Sequence, residues 1–196
     1  MSKKSQHSIT PKIQLIINCT LEILRDHGDQ GLSMRKVAAK AGMSLGNLQY
    51  YFRNKDELLI GLADVYFEKC SDDFNKSIAK HAPQGKTEIL EFLVDYGMYY
   101  ANSESGKVFR ELWGVAARNE RIKERMYEYY RLYAESVTEI IRPFAKNHNS
   151  VANTVSLLIP FFDGYGFSSS PLPADTPMLA SFLVNIINTA LEGGLE

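Results

Sequence analysis

The stretch Ser33–Leu58, SMRKVAAKAGMSLGNLQYYFRNKDEL, constrains the fold more than any other part of the chain. It reads as two short helices joined by a tight turn and followed by a capped third helix. Ser33 can cap a helix that carries Val37, Ala38 and Ala41 on one face. Gly42 supplies the left-handed turn that a bulkier residue resists, and Ser44 caps the next helix. That second helix is expected to bury Leu48 and Phe52 and to leave Leu45, Asn47, Gln49, Tyr50 and Tyr51 outside. This is the layout of a helix-turn-helix, whose second helix enters the DNA major groove.

A net charge of −1 looks wrong for a DNA binder until the chain is divided. Residues 1–58 hold nine Lys or Arg against five acids, and the remainder holds 13 basic against 18 acidic residues. Phosphate neutralisation needs local positive charge only. The division therefore fits a basic N-terminal reader on an acidic body. With 196 residues, 45% of them hydrophobic, the chain can build a substantial core. The two cysteines, Cys19 and Cys70, lack CxxC spacing and suit a reducing cytoplasm rather than a disulfide framework. No apolar run approaches the roughly 20 residues of a membrane span. Ile13–Leu24 is broken by Asn18, Thr20 and Glu22, so it reads as an amphipathic helix and not a signal peptide.

Helix signals continue along the whole chain, and the expected fold is all-α with about nine helices. From Pro11, apolar residues at 13, 16, 17, 21 and 24 predict a first helix ending near Gly28. Asn54 to Glu57 resembles a capping box, and the helix it opens is expected to reach about His81. Thr87 is expected to cap a helix to about Ser103, with another following from about Ser105 to Arg118. A long helix starts near Asn119 and is bent or ended by Pro143. Ser150 is expected to cap an apolar helix containing Pro160, and Thr176-Pro177 to start the last one, which reaches Gly193. The domain boundaries expected are 1–56 for DNA binding, with 1–10 loose, and 57–196 for ligand binding and dimerisation, joined by the helix 54–81.

Residues 11–58, and GMSLGNLQYYFRNKDEL above all, resemble the DNA-binding domain of the TetR family of transcriptional regulators. The resemblance implies roles at the matching positions. Ser33 and Arg35 open the first helix of the motif, where amides and a guanidinium can hold phosphate or reach a base. Ser44, Leu45, Gly46 and Asn47 form the exposed start of the recognition helix. Asn47 and Gln49 have the amide geometry to read adenine, and Leu45 can pack on a thymine methyl. Tyr50 and Tyr51 offer hydroxyls to phosphate, and Lys55 stands where the family places a phosphate contact. Gln49 departs from the aromatic residue that many members carry, so no operator sequence can be borrowed.

The body is rich in aromatic residues. Phe92, Tyr96 and Tyr99 share a helix face, as do Phe109 and Trp113. Such rings mostly fill cores, but several together can line a pocket between helices. The resemblance implies an inducer in that pocket. Tyr96, Tyr99, Phe109, Arg110, Trp113, Tyr127, Tyr130, Phe162 and Asp163 are its candidate residues, with Asp95, Glu111 and Asn119 as further polar groups. The rings suit a flat or apolar effector, and with nearby acids they also suit a cation. The last two helices, apolar on most sides, are expected to pair with those of a second copy as a four-helix interface.

The resulting expectation is a cytoplasmic, homodimeric repressor, released from a palindromic DNA operator by a small hydrophobic or aromatic effector. It requires no cofactor, no metal and no membrane. His7, His27, His81 and His148 are scattered without ligand spacing. Two alternatives are a helical regulator that acts through protein contacts without an inducer, and an all-helical enzyme. No nucleophile–base pair, metal cluster or phosphate loop supports the enzyme.

Overall fold

The computed structural model describes residues 10–194, and among them the chain is helical with no strand. Nine α-helices follow in order: α1 (Pro11–Gly31), α2 (Met34–Lys40), α3 (Leu45–Tyr51), α4 (Lys55–His81), α5 (Gly85–Asn102), α6 (Glu104–Ala116), α7 (Glu120–Ile141), α8 (His148–Ser168) and α9 (Thr176–Leu191). A 3-10 turn at Arg142–Phe144 follows α7, with Pro143 in its first positions. The expected all-α class and helix order are thus observed. No described helix is long and apolar enough to cross a membrane.

Helix ends follow local chemistry with some corrections. The backbone leaves helical dihedrals at Gly28 (φ 64°), where the first helix was expected to end, and then makes one more turn to Gly31. The α5 helix starts at Gly85, before Thr87, because the side chain of Glu88 turns back to accept from the N–H of Gln84 at 2.7 Å. Asn147, not Ser150, caps α8, accepting from the Ser150 N–H at 2.9 Å and the Ser150 hydroxyl at 3.2 Å. Asp175 caps α9, and Thr176-Pro177 fills its first positions as expected. That helix ends at Leu191, two residues short of the expected Gly193.

The described residues form two compact units, those up to 68 with 108–126, and 69–107 with those from 127 onward. They do not follow the 56/57 boundary, because α4, α6 and α7 each contribute to both. By sequence, unit 1 carries fourteen basic and ten acidic residues, and unit 2 eight basic and thirteen acidic. The positive excess therefore stays with the helix-turn-helix.

In unit 1, α2 packs on both α1 and α3. Its buried side chains include Ile16, Leu24, Val37, Leu48, Leu58 and Leu62. In unit 2, α5 packs on α8 and α9, which also pack on each other. The core there gathers Phe74, Leu90, Leu93, Met98, Ile141, Leu158, Phe162 and Ile187. A glycine sets the α5–α8 approach. A Cβ built on Gly97 would lie 2.4–2.6 Å from three ring carbons of Phe162.

Candidate nucleic-acid interface and aromatic region

The helix-turn-helix is built by its caps. Ser33 accepts from the N–H of Lys36 at 3.3 Å, and Ser44 accepts from the N–H of Asn47 at 3.1 Å. Between the two helices Gly42 takes φ 65°, the left-handed conformation expected for this turn. Its neighbours Ala41 and Met43 donate backbone N–H groups to Val37 and Ala38. The turn therefore needs no side chain to close it.

Leu48 is fully buried and fastens α3 to the unit. Phe52 corrects the expectation that it lies buried within this helix. It is the extended residue that ends α3, and it is only half-buried. Its ring lies over Gly61 of α4, where an added Cβ would come within 2.6 Å. Phe52 thus couples the end of the recognition helix to α4 from outside the core.

Opposite Leu48, Gly46, Asn47, Gln49 and Tyr50 are exposed, Leu45 and Tyr51 half-buried, and Arg35 is exposed on α2. Tyr50 keeps 84% of its surface accessible and meets Tyr51 edge-on at 5.3 Å between ring centres. The α3 helix thus presents two amides, a small aliphatic side chain and two phenols on one outer surface, donor and acceptor groups suited to base edges and phosphate oxygens.

Lys55 is engaged within the protein. Its Nζ donates to the backbone carbonyl of Asp29 and ion-pairs with the same residue's carboxylate, both at 2.7 Å. Arg118 approaches that carboxylate at 3.8 Å, and the N–H of Asp29 donates to Glu111 at 3.1 Å. Asp29 thus joins the end of α1, the start of α4, α6 and the turn before α7. Sequence reasoning missed this hub, because partners 26 to 89 positions away carry no periodic signal. Two candidate effector groups are also accounted for otherwise: Glu111 caps Asp29, and Asn119 caps α7 by accepting from the Ile122 N–H at 3.3 Å.

The aromatic candidates are divided between the units. Phe109, Arg110 and Trp113 belong to unit 1, where Phe109 packs on Tyr66 and Phe67 with ring centres 5.6 and 5.4 Å away. Tyr96, Tyr99, Tyr127, Tyr130, Phe162 and Asp163 belong to unit 2. There Phe162 is core, and Tyr130 donates to Asp163 at 2.7 Å. Tyr99 and Tyr127 are exposed. Tyr96 joins a cluster that the sequence did not delimit. It meets Phe74 at 5.3 Å, Phe92 at 5.7 Å and Tyr100 at 6.0 Å, while Tyr133 meets Phe74 at 5.7 Å and Tyr129 at 6.1 Å.

Burial pushes the Tyr96 phenol up to about 12, helped by the negative charge of Asp73, and burial likewise raises Tyr129 and Tyr133. Partial burial raises the Asp163 carboxyl, and its hydrogen bond from Tyr130 opposes the change. An unfolded tyrosine ionises near pH 10, so between about pH 10 and 12 the folded chain holds more protons than the unfolded one. These phenols therefore contribute full stability below pH 10 and lose it as the pH rises. The urea midpoint should drop between pH 9 and 11.5, with phenolate absorbance rising as unfolding proceeds, and Tyr133→Phe should drop less.

The chain matches the model of the bacterial regulatory proteins, tetR family, over residues 16–62. It is also 35% identical, over 184 residues, to an uncharacterized HTH-type transcriptional regulator in the dhlA 5' region of Xanthobacter autotrophicus. That alignment spans 90% of this chain and 88% of the relative. The chain belongs to the TetR family. It is a DNA-binding transcriptional regulator, like its relatives, and not an enzyme. The TetR fold extends through the body. A member of the TetR family from Streptomyces coelicolor A3 superposes with a TM-score of 0.66 at 21% identity, covering 93% of this chain and 99% of that one. The multidrug binding protein EbrR, complexed with imidazole, superposes with a TM-score of 0.66 at 20% identity, over 91% and 94% of the two chains.

Proposed function

We propose that this TetR-family regulator works as a homodimeric repressor that a small molecule releases from a palindromic operator. The observation that carries the DNA-reading part is the exposed row on α3, with Leu48 holding the helix from behind. Asn47 and Gln49 read base edges, Leu45 meets a thymine methyl, and Tyr50, Tyr51, Arg35 and the capped helix starts at Ser33 and Ser44 hold the backbone. Gly46 keeps the helix start slim enough for close approach. Lys55, bound to Asp29, fixes the start of α4 and so acts on the reader's position; a phosphate would have to compete with that carboxylate.

Dimerisation through the last two helices is supported by apolar side chains that unit 2 leaves in solvent. Phe167 and Met178 are each 65% exposed, Phe182 60% and Leu157 42%. These side chains stand on α8 and α9, two helices that pack on each other, and so suit an association surface. Two readers on one dimer fit half-sites about 34–36 Å apart or a multiple of that. The α4 helix, 27 residues and so about 40 Å long, runs from unit 1 into unit 2. An effector that binds better when the readers are misplaced must, by linkage, weaken operator binding. EbrR, which shares the fold, is also known in complex with malachite green, a precedent for a small aromatic ligand on this fold.

The test combines hydrodynamics with gel-shift assays on the gene's own upstream region. The parent should sediment as a dimer and bind with steep salt dependence. Phe182→Glu should sediment as a monomer, keep its helical spectrum and bind the same DNA at least tenfold more weakly. A Phe182→Glu protein that remains dimeric would overturn the assignment of the interface.

A further inference from the structure

On unit 2 a hollow of about 500 Å³ lies along the last turns of α4, Pro83 and the outer face of α5. Two rows of side chains reach it from α5. Phe92, Tyr96 and Tyr99 form one row at helical spacing, and Glu88, Glu91 and Asp95 form the other. Phe92 and Tyr96 are stacked with ring centres 5.7 Å apart, and the His81 ring leans on Phe92 at a tilt of 51°, 5.2 Å away. The Nδ1 of His81 bonds the Ser77 carbonyl at 2.9 Å, which holds the imidazole against the wall. The Tyr99 ring stands 75% exposed at the rim.

The charge of the hollow is one-sided. Among its described lining residues there are three carboxylates and no lysine or arginine. Glu88 spends one oxygen on the Gln84 N–H, whereas Glu91 and Asp95 are exposed. An anion would meet these carboxylates, and a neutral apolar molecule would gain nothing from them. A cation gains from both rows, by Coulomb attraction to the acids and by cation–π attraction to the open Tyr99 ring. The negative excess of unit 2 as a whole adds long-range attraction of the same sign.

We propose that this cleft binds an organic cation with a bulky apolar body, and that it is the effector site of the regulator. The second half of this statement rests on the effector-released reading above, and the first half stands without it. The apolar body lies against the half-buried Tyr96 and the exposed Tyr99, and the positive centre faces Glu91 and Asp95.

Tetraphenylphosphonium and tetraphenylborate, alike in shape and opposite in charge, test the cleft by calorimetric titration of the full-length protein. The phosphonium should bind saturably with one site per chain, and the borate at least tenfold more weakly. Glu91→Gln with Asp95→Asn should weaken phosphonium binding tenfold or more, with the melting temperature unchanged because both positions are exposed. Tyr99→Ala should weaken it about three- to tenfold, and Tyr99→Phe should restore it. Equal affinity for both ions, or a double variant that binds like the parent, would overturn the site. Adding the phosphonium to the operator complex separates the two halves. Release from the parent but not from the double variant supports the effector role. Charge-selective binding without release overturns that role and leaves the cation site standing.

Discussion

The triple variant Asn47→Ala, Gln49→Ala, Tyr50→Ala should lose sequence-specific operator binding while folding like the parent. The three side chains are exposed on α3, and none is used to hold that helix in place. The cap from Ser44 goes to the backbone N–H of Asn47, which alanine retains, and Leu48 is untouched. A well-formed amide-to-adenine pair is worth about 1–3 kcal/mol of discrimination. Loss of two such pairs and a phosphate contact should therefore lower specific affinity by roughly a hundredfold or more. Non-specific binding depends on Lys and Arg, so it should persist at low salt with its salt dependence intact. The single variants rank the contributions. If Asn47→Ala and Gln49→Ala both bind the operator like the parent, base reading by the α3 amides is overturned. The Gln49 variant is the more instructive, because the family resemblance leads one to expect an aromatic ring where this chain carries an amide.

Gly97→Ala should destabilise unit 2, against the ordinary expectation for a helical glycine. Inside a helix the change normally stabilises by about 0.5–1 kcal/mol, through reduced backbone freedom of the unfolded chain. Here the new methyl would lie 2.4 Å from Cε2 and 2.5 Å from Cζ of Phe162. Phe162 is buried at 8% exposure and meets Phe161 edge-on at 5.8 Å, so its ring has little room to retreat. Overpacking of this kind costs about 1–3 kcal/mol, which exceeds the propensity gain. The measured sign should therefore be a net loss of about 1–2 kcal/mol and a melting temperature lower by several degrees. Combining Gly97→Ala with Phe162→Leu should recover part of the loss through a favourable coupling. A Gly97→Ala protein that melts higher than the parent would show that α5 and α8 can part at no cost. The same substitution should leave operator binding by the folded protein intact.

The reader was legible because its signals are local. Caps at Ser33 and Ser44, a left-handed glycine at 42 and the placing of Leu48 each act within four residues, and each is found where it was expected. The errors have the same origin in reverse. Thr87 and Ser150 are good capping residues, but neighbouring groups reached the helix ends first, through Glu88 in one case and Asn147 in the other. Phe52 fits a buried helical position by spacing, yet the chain turns extended there and lays the ring on Gly61.

Sequence alone determined the helical class, the order of the helices, the partner and the sign of the charge on each part. These follow from periodicity, capping and composition, which need no knowledge of distant contacts. The tertiary structure decided that Lys55 is held by Asp29, and that the glycine at 97 is a contact surface for Phe162. It also decided which of the many aromatic rings border an acidic hollow. Those outcomes depend on side chains brought together from separate helices, and no spacing along the chain encodes which helix faces which.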